Sequence, residues 1–307
     1  MKVPSSLVSL TTRAVAESMD VNVMTHVAKE IIPDYDLHER TGFRESMVIP
    51  QGTAARQIVT DMVKSGLFLY FITMLIQFHT VGWRGRVYPI LHLKEIIREI
   101  NEAGYIYDPE NKLFVEDPAL HKTRNWGVLV PGREYLLAFL RLDIVGNSQL
   151  VRKYPEDLIE STYADIRRIV EKAVDKRNGR IWSWEGDGGL IAFYFGNKIV
   201  MAALSGMEIV NELFMYNLLH CRLPEPVRAR VAAHAGIIEY SSDVEELMKN
   251  DPIKETIQIE SRFTKPNTLT ISTTISSKLE GTIVKGLEPI KEDGRINYYA
   301  YSINLEQ

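Results

Sequence analysis

The fold is decided by two motifs, Leu136-Leu-Ala-Phe-Leu-Arg-Leu-Asp143-Ile-Val-Gly-Asn-Ser148 and Trp182-Ser-Trp-Glu-Gly-Asp187-Gly-Gly-Leu-Ile-Ala-Phe-Tyr-Phe195. The first is a nearly continuous apolar run that ends in an acid, and the second is a glycine-rich turn that carries another acid. An unpaired carboxylate is costly to bury. Asp143 and Asp187 therefore predict a shared partner, and a divalent metal ion is the leading candidate.

The hydrophobic patterns around these motifs predict alternating strands and helices. Residues 136–144 are typical of a buried central strand, and Pro155 followed by two acids begins a helix that runs to residue 176. The patterns then predict strands over 180–185 and 190–195, a helix over 198–219 and a strand over 227–238. After these come a short helix around 257–263, a strand around 269–272 and a last hairpin. The order βαββαβ indicates a ferredoxin-like α+β fold with helices covering a mixed sheet.

The 307 residues favour two domains, a mainly helical accessory domain over 1–125 and a second domain over 134–307, joined through 121–132. Residues 1–50 show no clear pattern beyond a helix over 21–32. A helix or helix pair is predicted over 53–78, an amphipathic helix over 92–103 and a hairpin after it. The apolar run 67–78 is shorter than the roughly 20 residues of a membrane-spanning helix, so it predicts a buried core helix.

The helix and hairpin leave a winged-helix interpretation open, with four basic residues as phosphate contacts. Those residues are Arg84, Arg86, Lys94 and Arg98. Three acids, Glu95, Glu99 and Glu102, are interleaved with them and favour an ordinary solvated face. Together with a net charge of -4, this pattern argues against a nucleic-acid partner.

Composition restricts the compartment and the metal chemistry. A single cysteine, Cys221, excludes an internal disulfide and a metal site built on thiolates. The N-terminal residues lack the long apolar core of a secretory signal. We expect a cytoplasmic protein without a membrane span.

Asp143 lies in an Asp-Ile-x-Gly-x-Ser motif and Asp187 in a Gly-Asp-Gly motif, and this pair resembles the catalytic core of the class III nucleotidyl cyclases over about residues 134–303. The resemblance implies that Asp143 and Asp187, with the backbone carbonyl of Ile144, bind Mg²⁺ or Mn²⁺, two ions per site. Carboxylates suit these ions, which also take phosphate oxygens. The loop after the strand would hold the phosphates, and its candidate residues are Gly146, Asn147 and Ser148.

A second segment, 251–263, resembles the part of the family that reads the purine and stabilises the transition state. The resemblance places the purine-contacting acid at Asp251, the transition-state amide at Gln258 and the arginine at Arg262. Gln258 stands where the family has asparagine, which lengthens the arm of the amide. Ser183 occupies the other purine position, where the family has lysine or glutamate, so this position does not choose between adenine and guanine.

Asp251 is the adenylyl-type residue, which favours ATP as the substrate and leaves GTP possible. Arg295 is a further candidate for binding the leaving phosphates. In the family the metal acids of one subunit face the purine residues of the other, and the resemblance therefore implies a homodimer with composite sites. The prediction is an adenylate cyclase, a lyase that makes 3′,5′-cyclic AMP and pyrophosphate in signalling. Two alternatives remain: a guanylyl cyclase, or a domain without turnover that senses a nucleotide or docks a partner.

Overall fold

The computed structural model describes residues 2–82, 85–109, 111–120, 122–292 and 294–303. The chain divides into two compact units, residues 1–128 and residues 129–307. The division falls inside the predicted junction. Arg84, one of the basic residues of the winged-helix interpretation, lies outside the described residues.

The first unit is mainly helical. Its elements are α1 Ser5–Ser18, α2 Val21–Ile31, α3 Leu37–Thr41, α4 Gln51–Lys64, α5 Phe68–Thr80, α6 Leu93–Glu102, β1 Tyr105–Asp108 and β2 Leu113–Glu116. The helix predicted over 21–32, the pair over 53–78, the amphipathic helix and the hairpin are all present. The hairpin pairs β1 with β2 in antiparallel register.

Helices α1 and α3 were not predicted. Helix α1 is rich in serine, threonine and valine, which have lower helix propensity than alanine or leucine. Its helical state depends on packing, because Leu7, Thr11, Ala14 and Val15 are buried. Burial of one face of α1 therefore stabilises this helix, although the local sequence does not indicate one.

The apolar run at α5 is a core helix, as predicted, with Phe71, Ile72 and Leu75 almost fully buried. In the winged-helix region, Arg98 pairs with Glu102 and the Arg86 guanidinium lies over the Tyr88 ring. These contacts suit a solvated surface.

The second unit is built on a seven-stranded sheet in the order β4-β5-β3-β6-β7-β9-β8. Its strands are β3 Glu134–Ile144, β4 Arg180–Glu185, β5 Gly188–Phe193, β6 Ala229–Glu239, β7 Thr268–Ser272, β8 Glu288–Glu292 and β9 Arg295–Ser302. Strands β6 and β7 are parallel, and the other neighbouring pairs are antiparallel. The order β4-β5-β3-β6 with two crossover helices is the predicted ferredoxin-like arrangement.

The helices of this unit are α7 Asn147–Lys153, α8 Glu156–Asp175, α9 Lys198–Leu219, α10 Val244–Leu247, α11 Asp251–Gln258, α12 Thr273–Ser276 and α13 Thr282–Lys285, and a π-helical segment Ile259–Phe263 continues α11. The predicted short helix therefore begins six residues earlier than 257. Helix α9 alone is long and apolar enough, among described residues, to cross a membrane by length and composition. Its residues Ala202, Ala203 and Ile209 are buried in the sheet core, as in the core helix of a globular domain.

Alternation along β3 gives the sheet two different faces. Ala138, Leu140 and Leu142 belong to the core that α8 and α9 cover. The residues between them, including Arg141 and Asp143, point to the opposite face, since successive strand residues alternate. Helix α11 and the π-helical segment lie over this second face, next to β6 and β3.

Candidate nucleotide and metal site

Asp143 lies next to the end of β3 and directly opposite Arg230 of β6. Its Oδ2 atom accepts a hydrogen bond from Arg230 Nη2 at 2.6 Å. The side chain keeps 22% of its exposure, so it remains accessible to a ligand. The cross-strand pair thus holds one predicted metal ligand at the rim of the sheet.

Asp187 lies in the turn between β4 and β5. Leu142 of β3 is paired with Gly189 of β5, and this antiparallel register continues to bring Asp187 alongside the end of β3. Burial, together with the charges of Asp187 and Asp143, raises the pKa of the Tyr163 hydroxyl on α8 to about 12. The two predicted metal carboxylates therefore lie at one end of the sheet, within electrostatic reach of one hydroxyl.

The predicted phosphate loop is at the same place. Gly146 has φ +75°, a left-handed conformation that glycine adopts without strain. Asn147 Oδ1 accepts a hydrogen bond from the Tyr163 hydroxyl at 2.6 Å, and Ser148 is exposed. The loop, Tyr163 and the acids form one cluster.

Ser183 lies on the edge strand β4, opposite Leu190. The ladder shifts register between Ile181 and Ser183. Trp182, almost fully buried, packs its ring at 5.7 Å from that of Phe139 on the second face of the sheet. The buried Trp182 ring thus anchors β4 beside the predicted purine position.

The predicted transition-state segment follows β6 along the second face. His234 contacts Glu255 at 3.3 Å near one end, and Arg230 contacts Glu260 at 2.6 Å near the other. Glu260 is 4% exposed and faces the sheet. The structure thus fixes which side of α11 and the π-helical segment is covered.

The three predicted residues of this segment are on its outer side. Asp251, Gln258 and Arg262 are exposed, and the Asp251 side chain is 97% exposed, with Lys254 3.5 Å away. The acids nearest to Arg262 in sequence on the same segment, Glu255 and Glu260, contact His234 and Arg230 instead. Within one chain these residues do not meet Asp143 and Asp187.

Arg295 is also separate from the acids in one chain. It begins β9, is exposed, and is paired in register with Glu292. Strand β9 is parallel in direction to β3, since β3, β6, β7 and β9 are related by antiparallel, parallel and antiparallel pairings. Arg295 therefore lies at the end of the sheet where β3 begins, whereas Asp143 lies at the other end.

Two charged residues near the site, Arg230 and Glu260, were not predicted to act in it. Burial raises the pKa of Glu260, and the charges of Arg230 and Arg141 oppose that rise. Arg230 Nε and Glu260 Oε1 form a close ion pair without the alignment of a hydrogen bond. The sequence showed only that Arg230 lies in a predicted strand. Its partners depend on the register of that strand against its neighbours, which the sequence does not give.

The donor set suits Mg²⁺ or Mn²⁺ that also binds phosphate. Asp143, Asp187 and the Ile144 carbonyl offer hard oxygen ligands. Among the described residues no group of three or more His, Cys, Asp or Glu side chains could hold a metal by itself. Any ion here would need oxygens from a nucleotide or from water.

No family model and no curated protein matches this sequence. Among solved structures, the chain is similar to the guanylate cyclase domain of RhGC from Catenaria anguillulae, solved in complex with GTP, with 14% identity over 55% of this chain and 97% of that chain and a TM-score of 0.47. It is also similar to the adenylyl cyclase CyaB from P. aeruginosa, with 14% identity, coverage of 57% and 97%, and a TM-score of 0.45.

A third similar structure is the adenylate/guanylate cyclase/hydrolase from Silicibacter pomeroyi, with 19% identity, coverage of 56% and 99%, and a TM-score of 0.42. The similarity is one of fold. It extends over little more than half of the chain.

Gly188 lets the turn that carries Asp187 lie close to the backbone of β3, and we expect Gly188→Ala to destabilise the protein. A Cβ atom at this position would collide with the carbonyl oxygen of Leu142. We expect a loss of about 1–3 kcal/mol in the free energy of unfolding, because backbone cannot yield as a flexible side chain can. Urea unfolding of wild type and Gly188→Ala measures this loss in the free energy of unfolding. Gly52→Ala is the control, since its Cβ meets nothing within 4 Å, and an equal loss in both variants would contradict the expectation.

His234 should make stability depend on pH. Its Nδ1 atom lies 2.9 Å from the Ser272 hydroxyl; burial lowers its pKa, and Glu255 opposes this. The unfolded chain therefore takes up the proton first as pH falls below about 6.5, and wild-type stability falls by up to about 1.4 kcal/mol per pH unit. Urea unfolding from pH 7.5 to 5 should show a flatter profile for His234→Gln but not for exposed His220→Gln. Parallel profiles for wild type and His234→Gln would contradict this.

Proposed function

We propose that the protein is a nucleotidyl cyclase that converts ATP to 3′,5′-cyclic AMP and pyrophosphate. The observation that carries the proposal is that Asp143 and Asp187 lie at the same end of the sheet, where the backbone of Gly188, next to Asp187, lies against the backbone of Leu142 and Asp143. Two acids 44 positions apart in sequence come together there beside a glycine-containing loop. That arrangement suits a metal-bound triphosphate better than a structural ion pair, since both members are negative.

Asp143, Asp187 and the Ile144 carbonyl would hold Mg²⁺ or Mn²⁺. When bound, the metal would neutralise charge on the phosphates and acidify the ribose 3′ hydroxyl, which attacks the α-phosphate as pyrophosphate leaves. Arg230 contacts Oδ2 of Asp143, and this contact fixes the orientation of the carboxylate. Gly146, Asn147 and Ser148 then lie where a triphosphate would pass.

Substrate preference would rest on Ser183 and Asp251. The Ser183 hydroxyl can donate or accept a hydrogen bond and so tolerates either purine. The Asp251 carboxylate only accepts hydrogen bonds, and both adenine and guanine offer N–H donors to it. The preference for adenine comes from the resemblance, in which an acid at this position is the adenylyl-type residue. ATP is therefore the preferred substrate in this proposal, and GTP is the alternative.

A complete site would require two copies of the chain. Gln258 and Arg262 are exposed on the outer side of their segment, while the acids of the same chain lie beyond its covered side. In a twofold-symmetric pair, Gln258 and Arg262 of each copy would serve the acids of its partner. The guanidinium would then stabilise charge that builds on the α-phosphate.

Incubation of the purified full chain with Mn²⁺ and each of the four nucleoside triphosphates tests the proposal, with products identified by mass spectrometry. We expect cyclic AMP from ATP, and slower or no product from the others. Cyclic GMP as the main product would show that the protein prefers GTP to ATP. Thermal stabilisation by a nucleotide without any cyclic product would instead support a nucleotide-sensing module.

A further inference from the structure

A partly buried charge network connects Asp143 at the end of β3 to the π-helical segment Ile259–Phe263. Arg230 lies between two carboxylates, with Nη2 2.6 Å from Asp143 Oδ2 and Nε 2.6 Å from Glu260 Oε1. The side chain of Glu260 is 6% exposed, against 22% for Asp143. One guanidinium is thus shared between a predicted metal ligand and a deeply buried acid.

Glu260 is costly to bury as an ion and must be held by cations. Arg230 is its direct partner, and Arg141, two residues before Asp143 on β3, adds a favourable charge. Arg141 and Asp143 point to the same face of the sheet because they are two apart on one strand. Two arginines and two acids therefore lie close together around Arg230 on this face, and of these two acids Asp143 is the more exposed.

The position of Glu260 follows from the π-helical segment. Gln258 and Arg262, two residues before and after it, are exposed, whereas Glu260 is turned inward onto β6. π-Helical turns are rare and are frequent at functional sites. Glu260 thereby attaches the segment with the predicted transition-state residues to the arginine that holds Asp143.

We propose that Glu260 is a positioning residue that acts through Arg230 and sets the divalent-cation affinity of Asp143 in its own chain. Arg230 and a metal ion compete for the Asp143 carboxylate. Glu260 draws the guanidinium toward itself and weakens that competition. Without the Glu260 charge, Arg230 has one carboxylate left and holds Asp143 more strongly.

This inference rests on the proposed function, because it assumes that Asp143 binds metal. Its test uses Mn²⁺ alone as the probe and needs no turnover. Mn²⁺ binding to the full chain is measured from the enhancement of water proton relaxation, and folding is checked from the melting temperature. Glu260→Gln keeps the shape of the side chain and removes its charge.

We expect Glu260→Gln to raise the Mn²⁺ concentration for half-saturation about tenfold, as for other groups that orient metal ligands. Glu255→Gln is the matched control on the same helix. It removes an acid that pairs with His234, and we expect a change of less than about twofold. Asp143→Asn should abolish the site.

The double variant Arg141→Gln with Glu260→Gln removes one positive and one negative charge, so the net charge near Asp143 is unchanged. It therefore separates the effect of Glu260 on Arg230 from the effect of net charge, and it does not leave Arg141 without the charge of Glu260. We expect Mn²⁺ affinity to stay several-fold below wild type, since Arg230 still lacks its second partner. Full recovery of affinity would overturn the role through Arg230. Wild-type affinity in Glu260→Gln would overturn it as well, and would leave the cyclase proposal intact. Mn²⁺ binding that does not depend on Asp143 would overturn both.

Discussion

Replacing Asp143 or Asp187 by asparagine should lower cyclic nucleotide formation by about a thousandfold. Each variant removes a charge from the carboxylate pair that would hold the metal. Metal ions contribute several kcal/mol to such reactions, and each 1.4 kcal/mol is a factor of ten in rate. The measurement is initial product formation from ATP and from GTP with saturating Mn²⁺, followed by mass spectrometry.

Asp157→Asn is the matched control for this loss. Asp157 is an exposed acid in the first turn of α8, so its loss should leave the rate within about twofold of wild type. Melting temperatures identify any variant that fails to fold. A wild-type rate with either nucleotide in Asp143→Asn or in Asp187→Asn would show that the acid replaced in that variant is not needed for the reaction.

Mixing Asp143→Asn with Arg262→Ala should restore activity that neither variant has alone. If each site takes its acids from one copy and Arg262 from the other, half of randomly formed pairs are mixed, and each mixed pair has one intact site of two. We therefore expect about one quarter of wild-type activity at equal amounts of the two chains. Coexpression with two affinity tags, and purification through both, isolates the mixed pairs, for which we expect about half of wild-type activity because one of their two sites is intact.

The control for restoration is a mixture of Asp143→Asn with Asp187→Asn. Both changes fall in the acid cluster of a single chain, so every site in a mixed pair keeps one defect. We expect no recovery in that mixture. Equal recovery in both mixtures, or none in the first although mixed pairs form, would contradict a site shared between two copies.

Much of the fold could be predicted because its elements carry strong local signals. The helix predicted over 198–219 has the observed bounds Lys198–Leu219, and β3, β4 and α8 lie within two residues of their predicted ends. Long periodic patterns and glycine turns mark these elements directly. Helix α1 was missed because its serines and threonines are helical only through burial of one face.

The sequence by itself determined the chemical types available: two acids in glycine-containing motifs, an amide and an arginine four residues apart, and no thiolate cluster. Only the tertiary structure decided their partners. The register of β3 against β6 joined Asp143 to Arg230, and the inward turn of the π-helical segment joined Arg230 to Glu260. The physical reason is that a strand pattern fixes which face a side chain takes, whereas the neighbour it meets there depends on which strands pair and in what register.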